Sequence, residues 1–387
     1  LDTLNYGYLS LLITFSNFAN QVIYGGLCNG VSRYYTISKS NEEFSVFYRT
    51  INVLTRKATL FLIILFLFAC VFLLLFDYNN IFIPIIITLM YSIFTGYFTI
   101  INSLLNASRQ RIQVSLNNIM TCFFKLFFIY TLIKCSKLSL NNVLLSYAMS
   151  VMLVNVFQKF NIYKIFGKIN KFNYSESLYY DKIIKYSTPF SFHGFITWLQ
   201  QSSDKWFMGI FSSTENIAKS AIIYQIGYTP IILFNSMLTS LISPILFDKA
   251  GDCTIRHNLI ESNKISIKIS YLMLSISLVI FLILLNTHKI VFELLIAKEY
   301  VDLSIFIPWI SLSAGIFSAG QVLCINFMNK FEIKKMTYIK IATSLIGILS
   351  NLVFVYLHQI SGAVLSLLLY SIIYYTSLHI YIKKENK

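Results

Sequence analysis

Charge is what this 387-residue chain has least of. Only 12% of its residues are Asp, Glu, Lys or Arg, against roughly a quarter in soluble domains. A surface that poor in charge faces lipid over much of its area, and a chain that is 56% hydrophobic reads as a polytopic membrane protein. Acidic residues are scarcest, 16 against 31 basic, which leaves a formal net charge of +15. Such an excess suits nucleic acid only when it forms a patch on a folded soluble domain. Here the basic residues lie in short loops between apolar runs, which argues against a nucleic-acid partner. Cysteine is sparse and unpatterned. Cys28, Cys70, Cys122, Cys135, Cys253 and Cys324 show no C-x-x-C and no metal-ligand spacing. Four of them fall in apolar segments, where a thiol behaves as a small hydrophobe. Also missing is a charged segment ahead of the first apolar run, so nothing resembles a cleavable signal peptide. No P-loop, metal cluster or nucleophile–base pair is present.

What the chain does have is apolar length. A membrane-spanning helix needs ~20 mostly apolar residues. Such runs lie near 6–31, 58–76, 81–104, 117–134, 141–162, 186–210, 220–246, 266–285, 303–327, 338–357 and 361–382, eleven in all. All five prolines (Pro84, Pro189, Pro230, Pro244 and Pro308) fall inside these runs. Membrane helices tolerate this where neighbouring groups re-satisfy the backbone. Orientation follows from the basic residues. The loops and span ends around 32–57, 105–116, 159–185, 249–268, 330–340 and 383–387 hold 24 Lys and Arg, and the opposite set only 5. The first set is therefore expected in the cytoplasm, with the C-terminus inside and Leu1 outside. An odd span count in a chain that opens "LDTLNYG" points to a first helix missing from this sequence.

The two halves repeat. "IFIP" at 81–84 returns at 305–308, and "IN" at 101–102 returns at 325–326, both at an offset of 224. "GY" at 7–8 pairs with 227–228 at an offset of 220. In this register the helix at 186–210 has no partner in the first half; its partner would precede Leu1. Both halves run in the same direction, a parallel repeat. The division expected is an N-terminal lobe over 1–165, a linker over 166–182 and a C-terminal lobe over 183–387. The basic, aromatic linker "YKIFGKINKFNYSESLYYDK" (163–182) reads either as an interfacial segment or as a solvated cytoplasmic loop.

Three stretches carry a resemblance. "SSDKWFMGIFSSTENIAKSAIIYQIGYTPI" (202–231) resembles a helix junction of polysaccharide-transport proteins: Asp with a basic residue, an apolar turn, a polar loop, then a small-residue helix start. "LLIAKEYVDLSIFIPWISLSAG" (294–315) is similar to the family's Glu-Tyr loop before a Pro-bearing helix, and "ISGAVLSLLLYSIIYY" (360–375) to its Gly-Ala opening of the last helix. The likeness covers most of the chain through loose motifs. It points to the polysaccharide-transport family of the MATE-like (MOP) superfamily, and within it to the O-antigen flippases, relatives of the MATE drug exporters. The resemblance implies an all-α polytopic membrane protein whose two six-helix lobes surround a central cavity, with 11 spans present in this chain. It also implies movement of undecaprenyl-diphosphate-linked oligosaccharide repeats from the cytoplasmic to the periplasmic leaflet of the inner membrane by alternating access. Membrane lipids and other polysaccharide-assembly proteins would be its neighbours. It needs no cofactor beyond H+ or Na+ coupling.

Charged residues within the spans supply the candidate site. Lys125 lies midway along "NNIMTCFFKLFFIYTLIK" (117–134), too deep to reach the interface easily. An ionisable residue at membrane depth faces a cavity or a partner; the competing reading is a lysine stretched along its stem to the headgroups. Asp204 and Lys205 lie about 9 Å below a helix end, at 1.5 Å per residue, and suit a structural pair as well as a substrate contact. His193 titrates near neutral pH and is a candidate for proton coupling, or else a hydrogen-bonded histidine between packed helices. Arg33, Arg109 and Arg111 mark the cytoplasmic face, where topology explains them. Forked guanidinium donors would also draw a diphosphate to the inner opening. Two amines against one carboxylate favour an anionic ligand. A MATE-like multidrug or cation antiporter should carry several acidic residues in its spans, and only Asp204 is found. A membrane glycosyltransferase or O-antigen polymerase should carry a long catalytic loop. The longest external segment, "NTHKIVFELLIAKEYVD" (286–302), has no such set.

Overall fold

The computed structural model describes residues 2–75, 82–135, 139–166, 177–250, 256–296, 298–329 and 332–385. It is 96% helix, with no strands among the described residues. Among the described residues, seven helices are long and apolar enough to cross a membrane, or eight if one bent pair is a single span. The chain divides into two compact units, Leu1–Trp198 and Leu199–Lys387.

The first unit contains α1 (Thr3–Phe18), a π-helical turn (Ala19–Tyr24), α2 (Gly25–Ser40), α3 (Phe44–Leu75), α4 (Phe82–Ala107), α5 (Arg111–Cys135), α6 (Leu140–Phe166) and the first part of α7 (Ser177–Phe211). The apolar run at 6–31 is thus divided by the π turn, which adds a residue to one helical turn. The turn places the buried Tyr24 ring against Gly96 of α4, where a side chain would overlap it, and the Tyr24 hydroxyl lies 3.0 Å from Thr59 Oγ1 of α3. Helix α4 is the core of this unit, packed by α1, α2, α3 and α6. Its buried Thr88, Ser92 and Thr95 return their hydroxyls to the carbonyls of Pro84, Thr88 and Tyr91. Small polar residues thereby pack closely at no hydrogen-bonding cost.

The first part of α7 belongs here because it lies antiparallel on α2. Gly26 meets Ser187 and Ser191, and Gly30 meets Ile183 and Ser187. Gly194 abuts the Gln21 carbonyl. With no Cβ on one helix and small residues on the other, the two backbones approach closely. At the start of α7, Tyr179 donates to Glu43 Oε2 at 2.7 Å. Burial and the Glu43 charge push its phenol up to about 12. The compact units part at Trp198, within α7; the linker expected from sequence spans 166–182. Residues 167–176 of that linker lie outside the described residues.

The second unit holds the rest of α7, then α8 (Thr214–Gly227), α9 (Thr229–Ala250), α10 (Arg256–Leu295), a 3₁₀ helix (Lys298–Phe306), α11 (Ile307–Asn329) and α12 (Ile333–Glu385). The run at 220–246 breaks at Tyr228, where α8 and α9 meet at 41°. Pro230 in the first turn of α9 disfavours a helical conformation for the residue before it. Pro84 and Pro308 likewise sit in the first turns of α4 and α11, where a missing N–H costs nothing. Pro189 lies within α7.

The runs at 338–357 and 361–382 share the single stretch α12, which reverses at Gln359 (φ 51, ψ −119). Ser350 pairs with Ser366 at 2.9 Å, Gly347 packs on Tyr370, and Gly362 abuts the Phe354 carbonyl. The pairs straddle the reversal at nearly matched distances, so α12 is an antiparallel hairpin of two limbs. Helix α11 is the core of this unit, as α4 is of the first. The order α3–α4–α5–α6 is matched by α10, α11 and the two limbs of α12. Within it the repeated "IN" places Asn102 and Asn326 at buried positions of α4 and α11.

Candidate functional site

Helix α5 turns a broad apolar face outward (Ile112, Ile119, Phe123 and Leu126 are all exposed) and a narrow polar stripe inward. The stripe runs Asn117, Thr121, Lys125 at intervals of four, which keeps one face of a helix. At its lower end Asn117 Nδ2 donates to Asn102 Oδ1 at 3.1 Å, and Gln158 Nε2 donates to the same oxygen at 2.9 Å, so α4, α5 and α6 are joined by carboxamides. Two turns higher, Lys125 is half-buried and its ammonium lies among tyrosines. Its Nζ is 3.5 Å from the Tyr91 hydroxyl, 5.7 Å from the Tyr91 ring centre and 4.9 Å from the Tyr147 ring centre. The two rings contact each other at 5.9 Å. No carboxylate lies within 4 Å of it among the described residues. A cation over a desolvated aromatic face is held by about 2 kcal/mol, which offsets part of its burial cost. An ammonium has three donors. One long contact leaves two of them for oxygens of a ligand.

The other sequence candidates fall in different settings. His193 is half-buried in the first part of α7, beside the tightly packed Gly194. Arg33 on α2, and Arg109 and Arg111 at the α4–α5 turn, are exposed and make no side-chain ion pair among the described residues. Arg109 adopts φ 63 in that turn. Lys125, His193 and the three arginines lie in the first unit. Asp204 and Lys205 lie in the second.

Asp204 is 1% exposed, and its carboxylate has no side-chain hydrogen bond or ion pair among the described residues. Lys205 is half-buried beside it, but no ion pair within 4 Å joins them, because adjacent helical residues point about 100° apart. Next to Asp204, Ser203 accepts from Asn351 Nδ2 at 2.7 Å, while Asn351 Oδ1 has no partner. Tyr224 and Tyr228 lie within electrostatic range of the carboxylate. This is a buried, acceptor-rich spot suited to a proton or a small cation.

Sequence reasoning missed two things. Lys340 was counted with the cytoplasmic span ends, yet it is only 7% exposed on the first limb of α12, within electrostatic range of Cys324. An offset of 224 sets Lys340 opposite the exposed Leu116, so the repeat register carries no signal of this burial. The second is the pair Tyr91 and Tyr147, which nothing local in the sequence links to Lys125.

No protein-family model matches the chain, and no curated protein matches it in sequence. Its fold is matched by solved structures of transporters. An inward-facing multidrug resistance MATE family transporter of the MOP superfamily superimposes with TM-score 0.66 at 14% identity, covering 98% of this chain and 91% of that one. The lipid II flippase MurJ in an inward closed conformation gives TM-score 0.70 at 13% identity, over 98% of this chain and 81% of that one. A MOP superfamily transporter from Pyrococcus furiosus, described by a reversed polarity of its binding pocket, gives 0.60 at 14% identity, over 99% and 88%. The chain has the MATE/MurJ-like transporter fold.

Proposed function

We propose that the protein is a flippase that carries an anionic lipid-linked oligosaccharide from the cytoplasmic to the outer leaflet of a bacterial inner membrane by alternating access. The carrier proposed is a polyprenyl (undecaprenyl) diphosphate, and the cargo an O-antigen-type repeat. The observation that carries this reading is Lys125. Its ammonium sits in an apolar span, turned inward between Tyr91 and Tyr147, with no carboxylate within 4 Å among the described residues. An unneutralised cation in that setting is expensive in lipid. A diphosphate offsets that cost, and the phenol faces suit a sugar ring. Lys205 adds a second amine, and the exposed Arg33, Arg109 and Arg111 would gather the diphosphate at the cytoplasmic mouth. The fold shared with a lipid II flippase supports a lipid substrate; the O-antigen identity rests on the resemblance of 202–231, 294–315 and 360–375. The test is complementation of a strain lacking its O-antigen flippase with a full-length, well-expressed version. Surface polysaccharide should return, and its absence would count heavily against the proposal.

One observation favours a second reading. The same fold serves multidrug exporters, and Asp204 is a buried carboxylate with no side-chain donor or ion pair among the described residues. Such a group holds a proton or a cation, as a cation antiporter requires. In the flippase reading Asp204 takes up the coupling H+ or Na+, and His193 is the lesser candidate for that role. The readings part at Asp204→Asn. An exporter loses drug resistance with no effect on surface polysaccharide, whereas a flippase loses polysaccharide with no drug phenotype.

A further inference from the structure

The second unit contains an apolar cavity of ≈ 360 Å³ lined by Ile305, Phe306, Trp309, Ser361, Val364, Leu365 and Leu368. Residues 361, 364, 365 and 368 form one face of the second limb of α12, at the i, i+3, i+4, i+7 spacing of a helical stripe. Facing them, Ile305, Phe306 and Trp309 come from the end of the 3₁₀ helix and the first turn of α11. The Trp309 ring is fixed edge-on by Phe281 of α10 at 5.1 Å. Both walls belong to stretches long and apolar enough to cross a membrane. Ile305, Trp309 and Leu365 are exposed. The groove therefore opens to bilayer rather than to water or protein.

Its mouth is polar. Ser361 lies two residues from the reversal at Gln359, whose side chain accepts from Asn216 Nδ2 at 2.8 Å. His288 Nδ1 pairs with Ser304 Oγ at 2.8 Å, just ahead of Ile305. From Ser361 to Leu368 the groove runs inward about 10 Å at 1.5 Å per residue, within the ~15 Å that half of a ~30 Å hydrocarbon core provides. At the ~30 Å³ that one water occupies in the liquid, its space takes about a dozen groups of that size. These are the dimensions of the headgroup-proximal part of one hydrocarbon chain.

We propose that this groove, formed by Ile305, Phe306 and Trp309 against the second limb of α12, seats the polyprenyl tail of the transported lipid. The leaflet is the one faced by the Gln359 turn, the outer one under the distribution of Lys and Arg. The tail's identity rests on the flippase reading; the groove does not. It would hold the lipid by its first isoprene units while the diphosphate leaves the protein.

The test is photo-crosslinking on the full chain in phosphatidylethanolamine–phosphatidylglycerol vesicles. One arm uses undecaprenyl diphosphate with a diazirine in its first isoprene units. The other uses phosphatidylethanolamine with a diazirine in an acyl chain. Polyprenyl label should concentrate on 305–309 and 361–368, and excess unlabelled undecaprenyl diphosphate should compete it away where excess phosphatidylethanolamine does not. Filling the groove from exposed positions, by Leu365→Trp or separately Ile305→Trp, should lower labelling about tenfold through lost apolar contact. Leu349→Trp, exposed on α12 but outside the groove, should leave it unchanged. Equal labelling by the phospholipid, or label spread evenly over the lipid-facing sides of α5 and α10, would overturn the proposal. Specific labelling together with failed complementation would sink the flippase reading and keep the groove. Successful complementation with unspecific labelling would sink the groove alone.

Discussion

Replacing Gly26 by alanine should loosen the first unit by a predictable amount. A Cβ at Gly26 would overlap Ser191 Oγ and stand 2.8 Å from the Ser187 carbonyl oxygen, where ordinary contact begins at 3.4 Å. The serine hydroxyl can rotate away, but the carbonyl is helix backbone, so α2 and the first part of α7 must separate by about 0.6 Å. Overpacking of this kind costs about 1–3 kcal/mol. Gly209, further along α7, is the matched control. Its Cβ would meet only Ile217 Cδ1, at 3.5 Å. Gly209→Ala should therefore be neutral, or stabilising by up to ~1 kcal/mol through reduced backbone freedom. The assay is equilibrium unfolding in mixed detergent–SDS micelles, followed by circular dichroism. Gly26→Ala should unfold at clearly lower SDS than the parent, and Gly209→Ala at the same or higher SDS. Equal midpoints for Gly26→Ala and the parent, or the reverse order of the two variants, would refute the close packing of α7 on α2.

Around Lys125, Tyr147→Phe keeps the aromatic face and should keep transport. Tyr147→Leu removes it and should lower transport about 2- to 30-fold, the range of cation–π energies; equal rates would deny the ring any role. Tyr179 is held protonated by burial and Glu43, with its phenol pushed up to about 12. A raised folded-state value means that its contribution is present below the ordinary value near 10 and is lost as pH rises from 10 through 12. Tyr179→Phe should cost about 1 kcal/mol at neutral pH by removing the bond to Glu43, and the gap to the parent should shrink above pH 10. A gap that stayed constant to pH 12 would contradict the assignment. For topology, a cysteine probe at Asn286 should be labelled from outside and one at Lys384 should not, since the two alternating loop sets hold 24 and 5 basic residues; the reverse would invert the proposed direction of transport.

Much of the helical framework was legible because lipid makes the rule simple: a run of ~20 apolar residues must be a helix. The reversal in α12 was legible too, as the short gap at 358–360 between two apolar runs. The turn within 19–24 was not, since one extra residue in a helical turn leaves no mark on hydropathy. The boundary at Trp198 was hidden for a related reason. Membership of α7 in the first unit depends on Gly26, Gly30 and Gly194 meeting residues far away in sequence. For the site, cost at depth singled out Lys125 and Asp204. Which groups surround them depends on packing among α4, α5 and α6, and on the α7–α12 contact at Ser203–Asn351. Lys340 escaped because a lysine near a basic span end reads as a topology signal whichever way its side chain points.

The central claim is tested most directly by reconstituting the full-length protein in vesicles containing a fluorescent undecaprenyl-diphosphate oligosaccharide and measuring its arrival in the opposite leaflet. The parent and Lys125→Arg, which keeps the charge, should move the lipid, Lys125→Gln should be slow, and Lys125→Glu should be inactive, because charge rather than shape attracts the diphosphate. Movement by Lys125→Glu at the parent rate, or no movement by the parent in vesicles where it exports a cationic dye, would contradict the account.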